Sequence, residues 1–268
     1  LLKKDRQSKY SLTPESQAFL ISDKPGTLAG FFGSILPTMA SRWLQLTEIV
    51  RDGRPAVAVN QETEGTECFS QLVETIIPMS YPGAQKLADH LKLAEAKQQV
   101  RVIDLAAGSG IWGIALVQKS PQMRVTAVDW PGMIPTTKRI TKKFGVHERF
   151  EFIEGDLAEA NFGSGYDVAT LGHILHSEGE ERSRRLLKKV FRALKSGGVI
   201  AIAEWLVNDD RTKPLPSLMF CVQMLVNTEK GDTFSFSEIK AWLKQAGFKK
   251  VRKLEAPGPS PLILASKP

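Results

Sequence analysis

One segment constrains this chain more than any other: an apolar strand with a single acid runs into a glycine-rich turn that opens a helix. It reads Val102-Ile-Asp-Leu-Ala-Ala-Gly-Ser-Gly-Ile-Trp-Gly113. Gly108 and Gly110 lack Cβ atoms, so the backbone can take positive φ and approach a ligand, and the free N–H groups at the helix start face the same place. The segment predicts a nucleoside-bearing cofactor at the end of a parallel strand.

Two kinds of cofactor fit this turn. The spacing Gly108-x-Gly110-x-x-Gly113 is also the dinucleotide-binding fingerprint, and Asp129 stands about where its ribose-binding acid follows. Asp104 lies inside the strand, four residues before Gly108, where a dinucleotide site usually has an apolar residue. A carboxylate suits the sulfonium and ammonium groups of S-adenosylmethionine better than a pyrophosphate. The sequence therefore favours a methyltransferase, with a nicotinamide enzyme or a turn without ligand as alternatives.

Length and composition are those of an ordinary soluble globular protein. The 268 residues, 42% of them hydrophobic and 24% charged, suffice for one α/β domain and a smaller appendage. No apolar run approaches the roughly 18 residues that span a bilayer, and no signal-peptide pattern opens the chain, so no membrane partner is expected. Cys68 and Cys221 give neither a disulfide framework nor a metal spacing, which predicts a cytoplasmic protein.

The net charge of +7 raises the question of nucleic-acid binding. The basic residues occur in short groups that are spaced mostly as solvated helix faces. The sequence shows no basic groove interleaved with aromatic residues. A nucleic-acid partner is therefore not expected.

Three segments are predicted along the chain. Residues 1–25 read as two short strands and a helix that is capped by Thr13 with Pro14 at its first position. This unit lacks partners for its apolar side, so upstream residues are expected to complete a small domain. Residues 26–96 show helical spacing without strand-like alternation, and residues 97–268 form the cofactor-binding domain.

In the third segment, strands and helices alternate, which predicts a mostly parallel sheet covered on both faces. The expected strands are 101–105, 124–128, 150–154, 166–171, 199–204, 249–255 and 261–265, and the expected helices include 109–118, 180–194 and 236–246. Only Ala256-Pro-Gly-Pro-Ser260 separates the last two strands, so they must form an antiparallel pair. That ending favours the methyltransferase form of the doubly wound sheet over the dinucleotide form.

Acidic residues follow the strands at the edge where open α/β sheets bind ligands. Asp129 ends the second strand, where its carboxylate can accept hydrogen bonds from both ribose hydroxyls. Asp156 follows the third strand, where it can accept from the adenine amino group while Gly155 lets the chain turn. Trp130 and Leu157 come directly after these acids and can sandwich the adenine ring. The alternatives are helix N-caps for the two acids and core positions for the two apolar residues.

Two histidines follow the fourth strand at the rim of the same crevice. His173 and His176 share a face if this segment is helical. No third metal ligand with fitting spacing follows, because Glu178, Glu180 and Glu181 read as a solvated first helical turn, so no metal is expected. An imidazole with an ordinary pKa of about 6.5 can deprotonate a phenol, whose pKa is about 10. Structural histidines that are bonded to loop carbonyls are the alternative.

These motifs resemble the S-adenosylmethionine-dependent O-methyltransferases of the plant caffeate type and their bacterial relatives in carotenoid, bacteriochlorophyll and polyketide pathways. The resemblance covers nearly the whole chain, including Trp43 and Arg51-Asp-Gly-Arg-Pro55. In His173-Ile-Leu-His-Ser-Glu-Gly-Glu-Glu181, His176 takes the place of the catalytic base. The resemblance implies a class I, Rossmann-like α/β fold: a doubly wound, seven-stranded sheet with an antiparallel last strand, after a helical cover of the active site and a partial winged-helix dimerisation domain.

The resemblance also implies roles for individual residues. Glu204, which closes the fifth strand, matches a glutamate that flanks the catalytic histidine and can orient it; a buried acid that is satisfied by backbone donors is the alternative. The turn from Leu105 to Gly110 is expected to hold the methionine end of the cofactor. The candidate cofactor-binding residues are Asp104, Ala106, Gly108, Gly110, Asp129, Trp130, Gly155, Asp156, Leu157 and His173, and those of the acceptor pocket are Met79, Met224 and Asn227.

The chain departs from the family pattern at four places. Ala106-Ala-Gly108 replaces a glycine triplet, and Gly172 replaces the lysine before the catalytic segment. Ser177 replaces the acid after the base, and Thr233, beside Asp232, falls where a second flanking glutamate is expected. These departures leave cofactor binding intact and bear on the acid–base chemistry and on the acceptor.

Together these observations predict transfer of a methyl group from S-adenosylmethionine to a hydroxyl of a small, aromatic or polycyclic metabolite, leaving S-adenosylhomocysteine. The reaction is an in-line displacement that is assisted by His176 and needs no metal. The resemblance implies a homodimer whose subunits contribute to each other's pockets. Methylation of carbon or nitrogen stays open, as does the acceptor. The alternatives are a nicotinamide-dependent oxidoreductase and a cofactor-binding or regulatory protein without turnover.

Overall fold

The chain begins with a small hairpin and a capped helix. The computed structural model describes residues 1–24 and 26–268; position 25, the last of the first predicted segment, lies outside the described residues. Strands β1 (Leu2–Lys4) and β2 (Tyr10–Leu12) pair antiparallel. Helix α1 (Pro14–Phe19) follows, and the Thr13 hydroxyl accepts a hydrogen bond from the Ser16 N–H at 3.3 Å. The predicted hairpin and the N-cap at Thr13 are confirmed.

Helices make up the regular structure of the second segment, as predicted. They are a π-helical turn (Phe31–Ile35), α2 (Leu36–Trp43), α3 (Leu46–Asp52), α4 (Glu62–Thr75), α5 (Ile77–His90) and a short 3-10 turn (Leu93–Glu95). Helix α3 ends at Gly53, whose left-handed φ of 66° suits a glycine C-cap. None of the helices in the described parts of the chain has both the length and the apolarity needed to cross a lipid bilayer.

The third segment forms the predicted α/β unit. Its strands are β3 (Val100–Leu105), β4 (Met123–Asp129), β5 (Phe150–Glu154), β6 (Tyr166–Gly172), β7 (Leu194–Ala203), β8 (Leu206–Val207), β9 (Phe234–Ser235), β10 (Lys249–Leu254) and β11 (Leu262–Ser266). Its helices are α6 (Ile111–Lys119), α7 (Ile134–Lys143), α8 (Leu175–Ala193), α9 (Leu215–Asn227) and α10 (Phe236–Ala246), with a 3-10 turn at His147–Arg149.

Seven of these strands form one sheet in the order β10-β11-β7-β6-β3-β4-β5. The five strands from β3 to β7 run parallel, and β11 is antiparallel to both β7 and β10. The seven-stranded, doubly wound sheet and its antiparallel ending are therefore as predicted. The winding order reverses between β3 and β6, so ligands are expected at the carboxyl ends of these strands.

Both faces of the sheet are covered because its strands are apolar on both sides. One hydrophobic cluster packs α8 and α10 against one face through residues such as Leu187 and Trp242. A second cluster packs α5 and α6 against the other face through residues such as Leu87 and Leu116. This cover leaves the carboxyl edge of the parallel strands as the place where polar side chains collect.

Two boundaries differ from those predicted by five residues, and one strand pair was not predicted. Helix α8 begins at Leu175, five residues before the expected start, because its first turn is a separate piece: the chain breaks at Gly179 (φ 72°, ψ 173°). A Cβ on Gly179 would lie 2.4 Å from the Lys230 carbonyl oxygen, so this close packing requires glycine. Strand β7 begins at Leu194 rather than at residue 199, and the short parallel pair of β8 with β9 was not predicted.

Candidate functional site

The glycine-rich turn bends tightly between β3 and α6. Ala106, Gly108 and Gly110 all have positive φ, at 51°, 54° and 73°. Because a left-handed conformation costs an alanine about 1–2 kcal/mol, the backbone is strained at Ala106. The Gly108 N–H donates to Oδ2 of Asp129 at 2.7 Å, so the turn is tied to the end of β4.

Asp104 and Asp129 hold this turn from two strands. The Asp104 carboxylate lies beneath the turn and is 1% exposed; it accepts from the Gly113 N–H at 3.0 Å and from the Thr170 hydroxyl at 2.7 Å. Asp129 accepts from the N–H groups of Gly108 and of Trp130. A carboxylate has about four lone-pair sites, so Asp129 keeps two for a ligand such as a ribose diol.

Burial raises the pKa of both acids. The pKa of Asp104 rises to about 7 and that of Asp129 to about 6, in each case mainly because the carboxyl group is desolvated. No cation in the described parts of the chain lowers either pKa. Two buried acids without a cation fit a ligand that brings positive charge, which S-adenosylmethionine does and a pyrophosphate does not.

Asp156 lies beyond β5 and is already well bonded. Its carboxylate accepts from Nη2 of Arg182 at 3.0 and 2.9 Å, from the Ala158 N–H at 2.8 Å and from Nε1 of Trp130 at 3.4 Å. Burial alone would raise the pKa of Asp156. The hydrogen bonds and the charge of Arg182 outweigh burial, so the pKa is lowered. An adenine amino group at this acid must share an oxygen with Arg182 or replace it.

The neighbouring candidates differ in their surroundings. The Gly155 N–H donates to the Asp129 carbonyl oxygen at 2.9 Å, which joins the ends of β4 and β5. Leu157 is 7% exposed and belongs to the hydrophobic core. Trp130 packs beside Phe69 of α4, with ring centroids 6.4 Å apart. Trp130 is therefore the better placed of the two residues that were expected to flank an adenine ring.

Helix α4 covers the cofactor turn. A Cβ on Gly108 would lie 3.1 Å from Cγ1 of Val73, and a Cβ on Gly65 would meet the Trp130 ring at 2.3 Å. The hydroxyl of Thr66 is buried without a hydrogen-bond partner among the described residues, and it faces Gly132 of the loop after β4. An unsatisfied buried hydroxyl here leaves one polar group free for a ligand.

His176 and Glu204 form a buried pair at the ends of β6 and β7. Nδ1 of His176 lies 2.6 Å from Oε1 of Glu204, and the His176 main-chain N–H donates to Oε2 at 3.2 Å. The Trp205 N–H donates to Oε1 at 3.0 Å. Glu204 is fully buried; burial raises its pKa, but the charge and hydrogen bond of His176 outweigh this and lower the pKa below the ordinary value.

An aromatic wall adjoins this pair. The Phe220 ring of α9 meets the His176 ring edge-on, with centroids 4.8 Å apart. Phe220 also stacks on Trp205 at 4.9 Å, with an angle of 23° between the rings. The surface beside the imidazole is therefore formed by flat, apolar rings.

His173 does not share a helical face with His176. It lies before α8 with a positive φ of 64°, and its Nε2 is 2.7 Å from the Ser260 hydroxyl oxygen. Burial lowers its pKa to about 4, so the ring is neutral at pH 7. The condition for a common face, a helical segment at both histidines, is therefore not met, because the chain bends at His173 before the helix begins.

Glu178 was expected to be solvated, and it is buried instead. It is 8% exposed, and its Oε2 accepts from Nε of Arg182 at 2.7 Å. The break at Gly179 gives the first turn of α8 an orientation of its own, which takes Glu178 out of solvent. Arg182 thus links Asp156 to the helical turn that contains His176 and Glu178. Glu180 and Glu181 are exposed, as expected.

Trp112 explains the departure at Gly172. A Cβ on Gly172 would lie 2.1 Å from Nε1 and 2.3 Å from Cδ1 of Trp112, and φ of Gly172 is not positive. Neither lysine nor any other side chain fits while the indole occupies this space.

We expect Gly172→Ala to lower the free energy of unfolding by at least about 1–3 kcal/mol, since it overpacks a buried contact. Urea unfolding measures the change. Gly33→Ala is the matched control: its Cβ meets nothing within 4 Å, so stability should hold or rise slightly. Adding Trp112→Phe, which removes Nε1, the nearest of the atoms in conflict, should recover part of the loss. Equal unfolding energies for Gly172→Ala and the wild type would contradict this account.

The three acceptor-pocket candidates lie on two helices. Met224 and Asn227 lie on α9 and are 6% and 2% exposed. Oδ1 of Asn227 accepts from Nη1 of Arg42 at 2.6 Å, and its Nδ2 donates to the Gln223 carbonyl oxygen. Met79 lies in the first turn of α5, and its carbonyl oxygen is close to Gly258.

Thr233 stands where the second flanking glutamate was expected. It is fully buried, and its hydroxyl has no hydrogen-bond partner among the described residues. The N–H of Asp232 donates to the His176 carbonyl oxygen at 2.9 Å, while its carboxylate accepts from Cys221 and pairs with Arg211. This segment therefore fixes the main chain of His176.

Among residues 1–24 and 26–268, no group of three His, Cys, Asp or Glu side chains is arranged to hold a metal ion.

A doubly wound sheet with this strand order, a glycine-rich turn after β3, and acids inside β3, at the end of β4 and after β5 defines a class I methyltransferase. Comparison with known proteins agrees. The family model of the O-methyltransferase domain matches residues 43–249. The chain belongs to this family, and it is an S-adenosylmethionine-dependent O-methyltransferase that acts on small molecules.

Individual relatives support the assignment over most of the chain. The 3-hydroxy-5-methyl-1-naphthoate 3-O-methyltransferase of Streptomyces sahachiroi is 28% identical over 273 residues, which are 99% of this chain and 78% of that protein. The acetylserotonin O-methyltransferase of Gallus gallus is 30% identical over 251 residues, 91% of this chain and 71% of that protein. A solved structure from Nostoc punctiforme, assigned as an O-methyltransferase, superposes with a TM-score of 0.88 at 26% identity, covering 99% and 80% of the two chains.

The sequence analysis missed the aromatic wall of Phe220 and Trp205 and four further contributors to the site, which are Thr170, Arg182, Ser260 and Trp112. Each of them is close to a candidate residue that is distant in sequence: Thr170 to Asp104, Arg182 to Asp156, and Ser260 and Trp112 to His173. Only Arg182 left a signal, since its spacing of four from Glu178 is that of a helical ion pair. The others depend on how the sheet edge closes.

Proposed function

We propose that His176 is the general base of the methyl transfer and that Glu204 orients it. The observation that carries this proposal is the 2.6 Å contact between Nδ1 of His176 and Oε1 of Glu204 beside the aromatic wall. The lowered pKa of Glu204 makes it a carboxylate, which can only accept a hydrogen bond. Nδ1 must then carry the proton, so the lone pair of Nε2 is available to take a proton from an acceptor hydroxyl.

The cofactor is held by the turn and by the acids around it. S-adenosylmethionine supplies the methyl group on a sulfonium, which leaves as the thioether of S-adenosylhomocysteine. Asp129, with two lone-pair sites left, binds the ribose hydroxyls, and the segment from Asp156 to Leu157 binds adenine beside Trp130. Asp104 acts from beneath the turn through its charge and its bond to Gly113. The remaining candidates Ala106, Gly108, Gly110, Gly155 and His173 shape the cleft.

The acceptor is a planar hydroxyl compound. Phe220 and Trp205 form a flat wall against His176, and Met224 continues that face of α9. The relative from Streptomyces sahachiroi is named for a hydroxynaphthoate, which is such a compound. We further propose that the reaction needs no metal, because a base and an oriented methyl donor suffice for an in-line displacement.

We propose a separate role for each of the three segments of the chain. Residues 1–25 belong to a winged-helix dimerisation domain, residues 26–96 cover the active site, and residues 97–268 bind the cofactor. A cytoplasmic homodimer is proposed on the same grounds. Light scattering of the purified protein with and without residues 1–24 tests the dimer: loss of the dimer on truncation supports this division, and an unchanged mass contradicts it.

Calorimetry with S-adenosylhomocysteine and with NADH, followed by an assay with 3-hydroxy-5-methyl-1-naphthoate, tests the proposed function. We expect micromolar binding of S-adenosylhomocysteine and formation of a methyl ether. Binding without transfer to any of a set of phenols would favour a protein that retains the cofactor without turnover. Binding of NADH instead of S-adenosylhomocysteine would overturn the proposal.

The raised pKa values predict that cofactor affinity depends on pH. Below about pH 6–7, Asp104 and Asp129 hold protons that a cationic ligand expels, so affinity should fall by up to roughly tenfold per pH unit for each acid that is deprotonated. The stability of the free protein changes with pH in the opposite direction to cofactor affinity. A carboxyl group whose pKa is raised by folding lowers the free energy of unfolding as pH rises through this window. Calorimetry in two buffers of different ionisation enthalpy should show proton release at pH 6 and little at pH 8.

Asp104→Asn is the matched variant for this measurement, since it removes one titrating group and keeps the side chain's shape. Proton release at pH 6 should decrease in this variant. Identical proton release at pH 6 and pH 8 in the wild type would show that these acids do not sense the cofactor.

A further inference from the structure

A cationic side chain without an acidic partner lies at the end of α9 that is far from His176. Arg42 of α2 is half-buried, and its Nη1 donates to Oδ1 of the buried Asn227 at 2.6 Å. Several other arginines form ion pairs with carboxylates, but Arg42 forms none with the described residues. A guanidinium has five N–H donors, so most of those of Arg42 are left for another acceptor.

The other half-buried arginine near the site differs in this respect. Arg182 faces two carboxylates, those of Asp156 and Glu178. Removing a charge from water is costly unless an opposite charge compensates. The neutral amide of Asn227 gives Arg42 one hydrogen bond and no charge compensation. An anion from outside the chain would complete this site.

The face of α9 relates Arg42 to the proposed base. Phe220, Met224 and Asn227 are spaced i, i+4 and i+7, so they lie on one face of the helix. Phe220 contacts the His176 ring, and Asn227 contacts Arg42. Seven residues span about 10 Å of helix axis. The imidazole and the guanidinium thus mark the two ends of one apolar face.

We propose that Arg42 binds the carboxylate of the acceptor, so that the preferred acceptors of this enzyme are hydroxyaryl acids. The hydroxyl lies at His176, the ring along Phe220 and Met224, and the carboxylate at the guanidinium. Arginine suits this role because its planar donor pairs match a carboxylate. The inference rests on the proposed function for the placement of the hydroxyl.

A structural tie is the competing explanation, and the chain offers a matched control for it. Trp43, next to Arg42, donates from Nε1 to Oε1 of Gln223, one turn before Asn227 on α9. Trp43→Phe loosens the same pair of helices without changing charge. Arg42→Gln removes the charge and keeps an amide donor for Asn227, and Arg42→Lys restores the charge.

The experiment measures binding of acid and amide pairs to each variant loaded with S-adenosylhomocysteine. The probes are 3-hydroxy-5-methyl-1-naphthoate, a hydroxybenzoate and the uncharged carboxamide of each. We expect the wild type to bind at least one acid more tightly than its amide. Arg42→Gln should weaken that acid on the order of ten- to hundredfold and its amide less than about threefold. Arg42→Lys should recover part of the loss, and Trp43→Phe should keep the preference for the acid.

Two results would overturn the inference. In the first, no acid binds to the wild type better than its amide. In the second, Arg42→Gln weakens the binding of acid and amide alike, which is the result expected if Arg42 only ties α2 to α9. Failure of the proposed function looks different. In that case S-adenosylhomocysteine does not bind, or the acid binds through Arg42 but accepts no methyl group from S-adenosylmethionine.

Discussion

Replacement of His176 by alanine is expected to lower kcat for methylation of a hydroxyl by about 10² to 10⁴, the usual contribution of a positioned general base. The expectation follows from the geometry at this residue: Glu204 fixes Nδ1, so Nε2 is free to accept the proton. A neutral phenol is a weak nucleophile, so loss of the base slows the displacement even when the methyl donor is well placed. Rates with saturating S-adenosylmethionine, in the wild type and the variant, measure the effect.

Cofactor binding provides the control for this variant. His176 makes no contact with the glycine turn, so the affinity for S-adenosylhomocysteine should stay within about threefold. His90→Ala removes a histidine of α5 that bonds to Arg252 of the edge strand β10, and it should leave kcat unchanged. Undiminished methylation of a hydroxyl by His176→Ala would show that positioning alone drives the reaction and that the assignment of the base is wrong.

Glu204→Gln should lower kcat on the order of a hundredfold or more, because an amide can present either oxygen or NH₂ to Nδ1 and no longer dictates the tautomer. The KM for the acceptor should change little, since Glu204 touches the base rather than the substrate. Such a split between kcat and KM distinguishes orientation of the base from general damage to the pocket.

The pH dependence of stability gives a second measurement on the same variant. The pKa of Glu204 is lowered by folding, so its contribution to stability is present above the ordinary value of 4.5 and is lost as pH falls through the lowered value. The Tm of the wild type should therefore fall more steeply with acid below pH 4.5 than the Tm of Glu204→Gln. Parallel curves together with an unchanged kcat would remove Glu204 from the mechanism.

Local patterns were sufficient to predict the elements of the catalytic unit. Strand β5 and helix α10 have the predicted bounds, because turn residues and apolar periodicity mark both of their ends. The antiparallel ending follows from a short connection that permits no crossover. The glycine turn and the acids after the strands fall at one edge of the sheet because parallel strands end there.

Contacts between distant residues were not predictable in this way. The buried state of Glu178 depends on the break at Gly179, which packs against the Lys230 carbonyl from another element. The contact between Arg42 and Asn227 joins positions 185 residues apart. Such contacts depend on the closed tertiary structure, and a single sequence carries no local periodicity that encodes them.

The proposed reaction moves the sulfonium methyl group to the oxygen of a small aromatic acceptor with a histidine as base. The most direct measurement follows an isotopically labelled methyl group from S-adenosylmethionine to hydroxyaryl acids in the presence of a metal chelator. The account predicts an aryl methyl ether with one equivalent of S-adenosylhomocysteine, at a rate that the chelator does not change. Label on carbon or nitrogen, a rate that the chelator abolishes, or no labelled product from any such acceptor would contradict it.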